Sequence, residues 1–112
     1  MVKIEVIIRP EKLTGVLQVI ETTGYSGVMI TEIKGHGKQK GLVQQWRGGE
    51  YRVSLLTKVK LEVVSKDSDV EKIKAAIVGV ARTGEIGDGK IFVYEIKDAM
   101  RIRTGETGDT AL

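Results

Sequence analysis

From Thr83 to Lys90 the chain reads Thr-Gly-Glu-Ile-Gly-Asp-Gly-Lys. Glycine lets backbone N–H groups approach an anion closely, and a lysine beside them supplies opposite charge, so this stretch has the chemistry of a phosphate cradle. Gly84 to Lys90 also fits the first seven positions of the P-loop pattern. The next residue is Ile91 instead of the magnesium-holding hydroxyl, and a strand follows where a P-loop needs a helix, which excludes a P-loop. Taken alone, Asp88-Gly89 also reads as a plain turn between a helix and a strand.

Two further basic groups bear on that choice. Arg101-Ile102-Arg103-Thr104-Gly105 places two guanidinium groups on the same side of a stretch expected to be extended, an arrangement suited to phosphate oxygens. Solvated charge on an edge strand is the competing reading of either arginine by itself. Gly35-His36-Gly37-Lys38-Gln39-Lys40-Gly41 adds two lysines and an amide oxygen at Gln39, a hard donor that can join phosphate oxygens around Mg²⁺. No general base for activating water stands out: Glu62 belongs to a strand, Glu85 and Asp88 sit in the cradle, and Glu50 lies in a loop.

The elements that must position these groups follow from periodicity. Val2, Ile4, Val6 and Ile8 alternate as one face of a strand, and Arg9-Pro10 ends it. Leu13, Val16, Leu17 and Ile20 recur at helical spacing, which predicts a helix over residues 10–23. Residues 28–33 are β-rich, and residues 58–64 alternate Val59, Leu61 and Val63 against Lys58, Lys60 and Glu62. Asp69 is placed to cap a second helix carrying Val70, Ile73, Ile77 and Val80, and residues 91–96 form the last strand. The segment from Gly37 to about Tyr51 shows no sustained period and contains Gly48-Gly49, so it reads as a long exposed loop. The order strand, helix, strand, strand, helix, strand is the α+β, ferredoxin-like split βαβ arrangement: an antiparallel sheet with two helices on one face, in one domain spanning residues 1–112. That fold hosts many functions and decides none.

Composition narrows the classes. A 112-residue chain with 41% hydrophobic and 29% charged residues has enough apolar material for one modest core. No apolar run approaches the roughly 20 residues of a membrane helix, cysteine is absent, and Met1 to Arg9 alternates like a strand, so a cytoplasmic protein without membrane insertion is expected. The net charge of +3 comes from interspersed charges, and the five aromatic residues form no base-stacking motif, which argues against direct nucleic-acid binding.

Gly37 to Gly41, Trp46-Arg47-Gly48-Gly49-Glu50-Tyr51, Lys58-Val59-Lys60, Thr83 to Phe92 and Arg101 to Gly105 together resemble the PII nitrogen-regulatory signal transduction family, and the match spans essentially the whole chain. The resemblance implies a homotrimer with nucleotide clefts between subunits and a signalling T-loop at about residues 37–55, with a C-terminal segment over residues 101–112. By position it implies ATP or ADP contacts at Met29, Gly37, Lys38, Val64, Gly87, Asp88, Gly89, Lys90, Arg101, Ile102 and Arg103. It implies 2-oxoglutarate contacts at Gln39, Lys40, Gly41, Lys58, Ile86 and Gly87, with Gln39 helping to hold the Mg²⁺ of bound ATP. Tyr51 matches the position uridylylated in many members, and Trp46, Arg47, Gly48, Gly49, Glu50 and Tyr51 match the partner-binding loop tip. Implied partners are an ammonium channel, nucleotidylating enzymes, or enzymes and regulators of nitrogen assimilation. Departures from the family pattern include Lys38 for arginine, Met29 for threonine, His36 for phenylalanine, and Gly49 for a serine that some relatives phosphorylate. Two other classes compete: a weak ATP-hydrolysing enzyme, and a related trimeric sensor for metal tolerance or another small metabolite.

Overall fold

Alternation at the N-terminus creates a strand with one fully apolar face, and two other strands close over its edges. The computed structural model describes residues 1–36 and 55–112 and, of the remainder, the backbone of residues 42–46 and 49–53. Its elements are β1 (Val2–Ile8), α1 (Leu13–Thr22), β2 (Met29–His36), β3 (Leu42–Trp46), β4 (Gly49–Val53), β5 (Leu55–Ser65), α2 (Val70–Ala81) and β6 (Lys90–Glu95). Four strands form an antiparallel sheet in the order β2-β5-β1-β6, with β1 central against both β5 and β6. This is the expected ferredoxin-like βαββαβ arrangement.

Val2, Ile4, Val6 and Ile8 meet Val59, Leu61 and Val63 on one face of the sheet, and Val16, Ile20, Ile73 and Ile77 cover them from α1 and α2. All of these side chains are buried, each worth about 1.5–3 kcal/mol relative to exposure. Gly15 sets how closely the helices approach, since a Cβ there would lie 2.6 Å from Cγ1 of Val80. The opposite sheet face is charged and paired: Lys3 to Glu62 at 3.1 Å, Lys60 to Glu5 at 3.5 Å, and the Tyr94 hydroxyl donating to Glu5 at 2.7 Å.

Three expectations need correction. The stretch read as a continuous loop contains β3 and β4, which pair antiparallel from Leu42 opposite Val53 to Trp46 opposite Gly49. This hairpin belongs to a separate two-stranded sheet, so the core did not impose on it the hydrophobic alternation that marks the main strands. Asp69 precedes α2 but makes no side-chain cap; its carboxylate instead accepts the Tyr25 hydroxyl at 2.5 Å, and a 3-10 turn at Asp67–Asp69 leads into the helix. Residues 101–105 are not extended: the Gly105 amide donates to the Arg101 carbonyl at 2.8 Å and the Arg101 amide to the Glu106 carbonyl at 2.8 Å. Gly105 takes φ +74°, a value glycine adopts without strain, so the two arginines are not related by strand alternation.

Candidate functional site: a glycine turn beside two cations

The segment joining α2 to β6 is shaped by one carboxylate. Asp88 accepts the Thr83 amide at 2.8 Å, the Gly84 amide at 2.9 Å, the Thr83 hydroxyl, and the Arg9 guanidinium Nε at 3.4 Å. The Thr83 hydroxyl bond, followed by the backbone donors and Arg9, holds the Asp88 carboxyl well below the usual carboxylate range. Asp88 is therefore the hub of the turn as well as a residue marked for nucleotide contact.

The turn lies directly against the first strand. Gly89 has φ +103°, and a Cβ built there would stand 1.7 Å from the Ile7 carbonyl oxygen, so only glycine fits. Gly84 and Gly87 also take positive φ, at +88° and +102°. Arg9, at the end of β1, donates to the Ile86 carbonyl at 2.8 Å in addition to its contact with Asp88. Lys58 Nζ from β5 donates to the next carbonyl, Gly87, at 2.6 Å. Burial, reinforced by the nearby Arg9 charge, pushes the Lys58 ammonium down from its ordinary value.

A cavity of about 720 Å³ opens at this end of the sheet, lined by Lys58, Ile86, Gly87, Asp88, Gly89 and Lys90, with Gly35 and His36 from β2 and Glu85 from the turn. Sequence reasoning marked the first six of these, and the fold brings them together. Arg9 and Thr83 were not marked as site residues. The sequence shows Arg9 only as a strand breaker, and the one available signal is a Thr and an Asp five residues apart bracketing Gly84 and Gly87.

The remaining candidates stand elsewhere on the chain. Val64 is six residues along β5 from Lys58, about 20 Å at the rise of a strand. Met29 begins β2 opposite Glu62, close to that same end. The chain leaves β6 there too, where the Ile96 amide donates to the Met1 carbonyl at 3.1 Å, before it reaches Arg101, Ile102 and Arg103. Arg101 is engaged by the Glu106 carboxylate at 3.5 Å and by the Leu112 carbonyl at 3.3 Å, whereas Ile102 is 99% exposed. Gly37, Lys38, Gln39, Lys40, Gly41, Arg47 and Gly48 lie outside the described residues, as do the side chains of Trp46, Glu50 and Tyr51, and Gly49 is described in backbone only. Among the described residues no group of three His, Cys, Asp or Glu side chains has metal-site geometry, and no helix is long and apolar enough to cross a membrane.

Comparison with known proteins places this geometry in context. The family model described as nitrogen regulatory protein P-II matches residues 1–106. A nitrogen regulatory protein P-II from Rhodospirillum rubrum is 52% identical over 112 residues, covering all of both chains. One from Haemophilus influenzae is 51% identical over the same span. Nitrogen regulatory protein P-II 2 from Methanothermobacter thermautotrophicus is 46% identical over all of this chain and 97% of its own.

Proposed function

The chain belongs to the nitrogen regulatory protein P-II family, and from that premise we propose that it is a non-enzymatic sensor of adenine nucleotide and 2-oxoglutarate that controls partner proteins. The observation that carries this reading is the turn at residues 83–90, locked onto β1 with Lys58 and Lys90 lining its cavity. Such a site suits anions, and its glycines admit phosphate oxygens that any larger residue would exclude.

The distribution of candidates along the sheet supports a homotrimer. Lys58 and residues 86–90 lie at one end, while Met29 and Val64 lie near the other, where the chain leaves toward Arg101 and Arg103. Two half-sites at opposite ends of one protomer form a whole site when the end of one chain meets the turn of the next. ATP or ADP occupies that junction in this reading, with Met29, Gly37, Lys38, Val64, Gly87, Asp88, Gly89, Lys90, Arg101, Ile102 and Arg103 in contact. With ATP present, Gln39 would help to hold the Mg²⁺ that supplies positive charge between the phosphates and 2-oxoglutarate, whose site comprises Gln39, Lys40, Gly41, Lys58, Ile86 and Gly87. Bridging charge is required because a dicarboxylate beside a triphosphate is otherwise repelled. Lys58 takes the far carboxylate, exchanging its Gly87 carbonyl for a charged acceptor.

Control passes through residues 37–55. A ligand shifts the states of that segment only by the amount it binds one state better than another, so ATP with 2-oxoglutarate and ADP favour different partner-binding forms. Trp46 to Tyr51 is the partner-binding tip, and uridylylation of Tyr51 adds bulk and negative charge there. The partners are an ammonium channel, nucleotidylating enzymes, or regulators and enzymes of nitrogen assimilation, which places the protein in the cytoplasm.

Thermal unfolding with ADP, ATP, Mg²⁺ and 2-oxoglutarate tests the reading. Nucleotide at a hundred times its Kd stabilises by about 2.7 kcal/mol, and 2-oxoglutarate adds to this only when Mg-ATP is present. No shift with either nucleotide overturns the sensor reading. A nucleotide shift without any increment from 2-oxoglutarate removes the metabolite alone.

A further inference from the structure

We propose that Arg9 is the positioning residue of the glycine turn: by holding the Ile86 carbonyl and the Asp88 carboxylate together, it orients the Gly87 amide for an incoming anion. The inference rests on the anion-binding role proposed for this turn and identifies what aims it.

The argument begins with peptide geometry. Among the described residues no peptide bond is cis, so each carbonyl and the N–H of the following residue point in opposite directions across one plane. Arg9 holds the Ile86 carbonyl at 2.8 Å, and the Gly87 N–H in that plane therefore faces away from the guanidinium. Lys58 holds the Gly87 carbonyl at 2.6 Å, so the Asp88 N–H faces away from the ammonium. Two consecutive amides are fixed by cations gripping the opposite edges of their peptide planes. Successive N–H groups fixed in this way make an anion-binding concavity.

Arg9 is suited to this work in a way that lysine is not. The guanidinium is a planar fork with several fixed donors, and here it spans a carbonyl and a carboxylate two residues apart. An ammonium is a point charge on a flexible stem and does not hold both in register. The two acceptors also act in concert, because Asp88 ties the same arginine to the Thr83 and Gly84 amides. Gly87 at φ +102° gives its peptide planes a freedom that a substituted residue lacks, so an external clamp is what fixes them.

The test has two arms on the full-length protein. In the first, amide resonances of Gly87 and Asp88 are followed by NMR in the ligand-free wild type, Arg9→Gln and Arg9→Lys; both substitutions should shift and broaden the Gly87 amide. In the second, calorimetry gives the Kd for ADP in the same proteins, in Asp88→Asn and in the Arg9→Gln, Asp88→Asn double variant. Loss of a charged hydrogen bond predicts that Arg9→Gln weakens ADP binding about ten- to a hundredfold. Arg9→Lys should recover only a small part of that, and the double variant should lose far less than the product of the single losses. Full recovery by lysine would show that only the charge matters, and multiplicative losses would show that Arg9 does not act through Asp88; either result overturns the proposal. So does an unchanged ADP Kd with only a lower Tm, which is the mark of a purely structural role. If the wild type binds no ADP, the sensor reading fails instead, and the NMR arm still decides whether Arg9 orients the turn.

Discussion

Replacing Gly89 with alanine should be among the most damaging single-methyl changes in this chain, and the reason divides into two parts. The first is conformational: φ at Gly89 is +103°, and an L-residue held in left-handed space costs about 1–2 kcal/mol. The second is steric. The new Cβ would lie 1.7 Å from the Ile7 carbonyl oxygen and 2.7 Å from its carbon, both backbone atoms of the central strand. An ordinary contact requires the turn to retreat by more than about 1 Å, which breaks its fit to β1 and adds about 1–3 kcal/mol, as overpacking does elsewhere. Gly84→Ala is the internal control, because Gly84 has φ +88° but nothing within 4 Å of its Cβ position. It should lose only the conformational part. Per-residue unfolding entropies give about 4 °C of Tm per kcal/mol for a chain of 112 residues. Gly89→Ala should therefore lower Tm by about 8–20 °C and Gly84→Ala by about 4–8 °C in side-by-side calorimetric scans. ADP affinity should fall with the first substitution much more than with the second. Equal Tm losses for the two variants would refute the close approach to Ile7 on which the cradle depends.

Other consequences are simpler to state. Gly15→Ala should destabilise by about 1–3 kcal/mol despite alanine's better helix propensity, because its Cβ meets Val80 at 2.6 Å; Gly79→Ala, with nothing within 4 Å, should stabilise by about 0.5–1 kcal/mol. Urea melts of both variants measure the contrast, which vanishes if the helices separate freely. Asp88 has a carboxyl pKa depressed by folding, so its contribution is present above the unfolded value near pH 4 and is lost as pH falls below it. Asp88→Asn should accordingly be less stable than wild type at neutral pH, with a shallower loss of Tm between pH 5 and about 3. Parallel curves for the two proteins would separate Asp88 from the acid response. Lys58→Met, which keeps the apolar stem without the ammonium, should abolish the stabilisation by 2-oxoglutarate in Mg-ATP and, because the Gly87 carbonyl loses its clamp, also reduce the ADP shift in part. A 2-oxoglutarate increment that survives the substitution would remove Lys58 from the metabolite site.

The main sheet was legible because it is buried on one face. Val2 to Ile8 and Val59 to Val63 carry strict alternation, since a slip of one residue would turn Ile4 or Leu61 outward. The two helices were legible for the corresponding reason at their own period. β3 and β4 escape the sequence reading because a two-stranded hairpin apart from the main sheet is under no comparable pressure, and Gly49, which reads as a sign of loop, is the first residue of β4. The turn at residues 83–90 is marked in the sequence by its glycines, but what holds it is hidden there. Arg9 and Asp88 are 79 residues apart, and no local pattern announces a contact between them. Arginine spacing misled for a different reason: the pair at 101 and 103 suggested alternation, whereas the bond from Gly105 to Arg101 folds the segment into a turn.

The placement of the candidate residues explains why the sheet itself is the instrument of assembly in the proposed sensor. An anion site that lay wholly within one protomer would gain nothing from neighbours, and ligand binding would not report on their arrangement. Here β5 carries Lys58 near one end and Val64 near the other, so in the proposed assembly a single strand would serve two different clefts. β1 spans the same two ends: Ile7 and, just beyond the strand, Arg9 support the turn, while the Met1 carbonyl just before it holds the point where the chain departs toward Arg101. Nucleotide that joined such halves would stabilise the assembly and the turn through the same contacts, and the dissociation of protomers on dilution should become slower in its presence. A dissociation rate indifferent to ADP would mean that the halves belong to separate sites, and the connection from bound ligand to assembly would have to run through other residues.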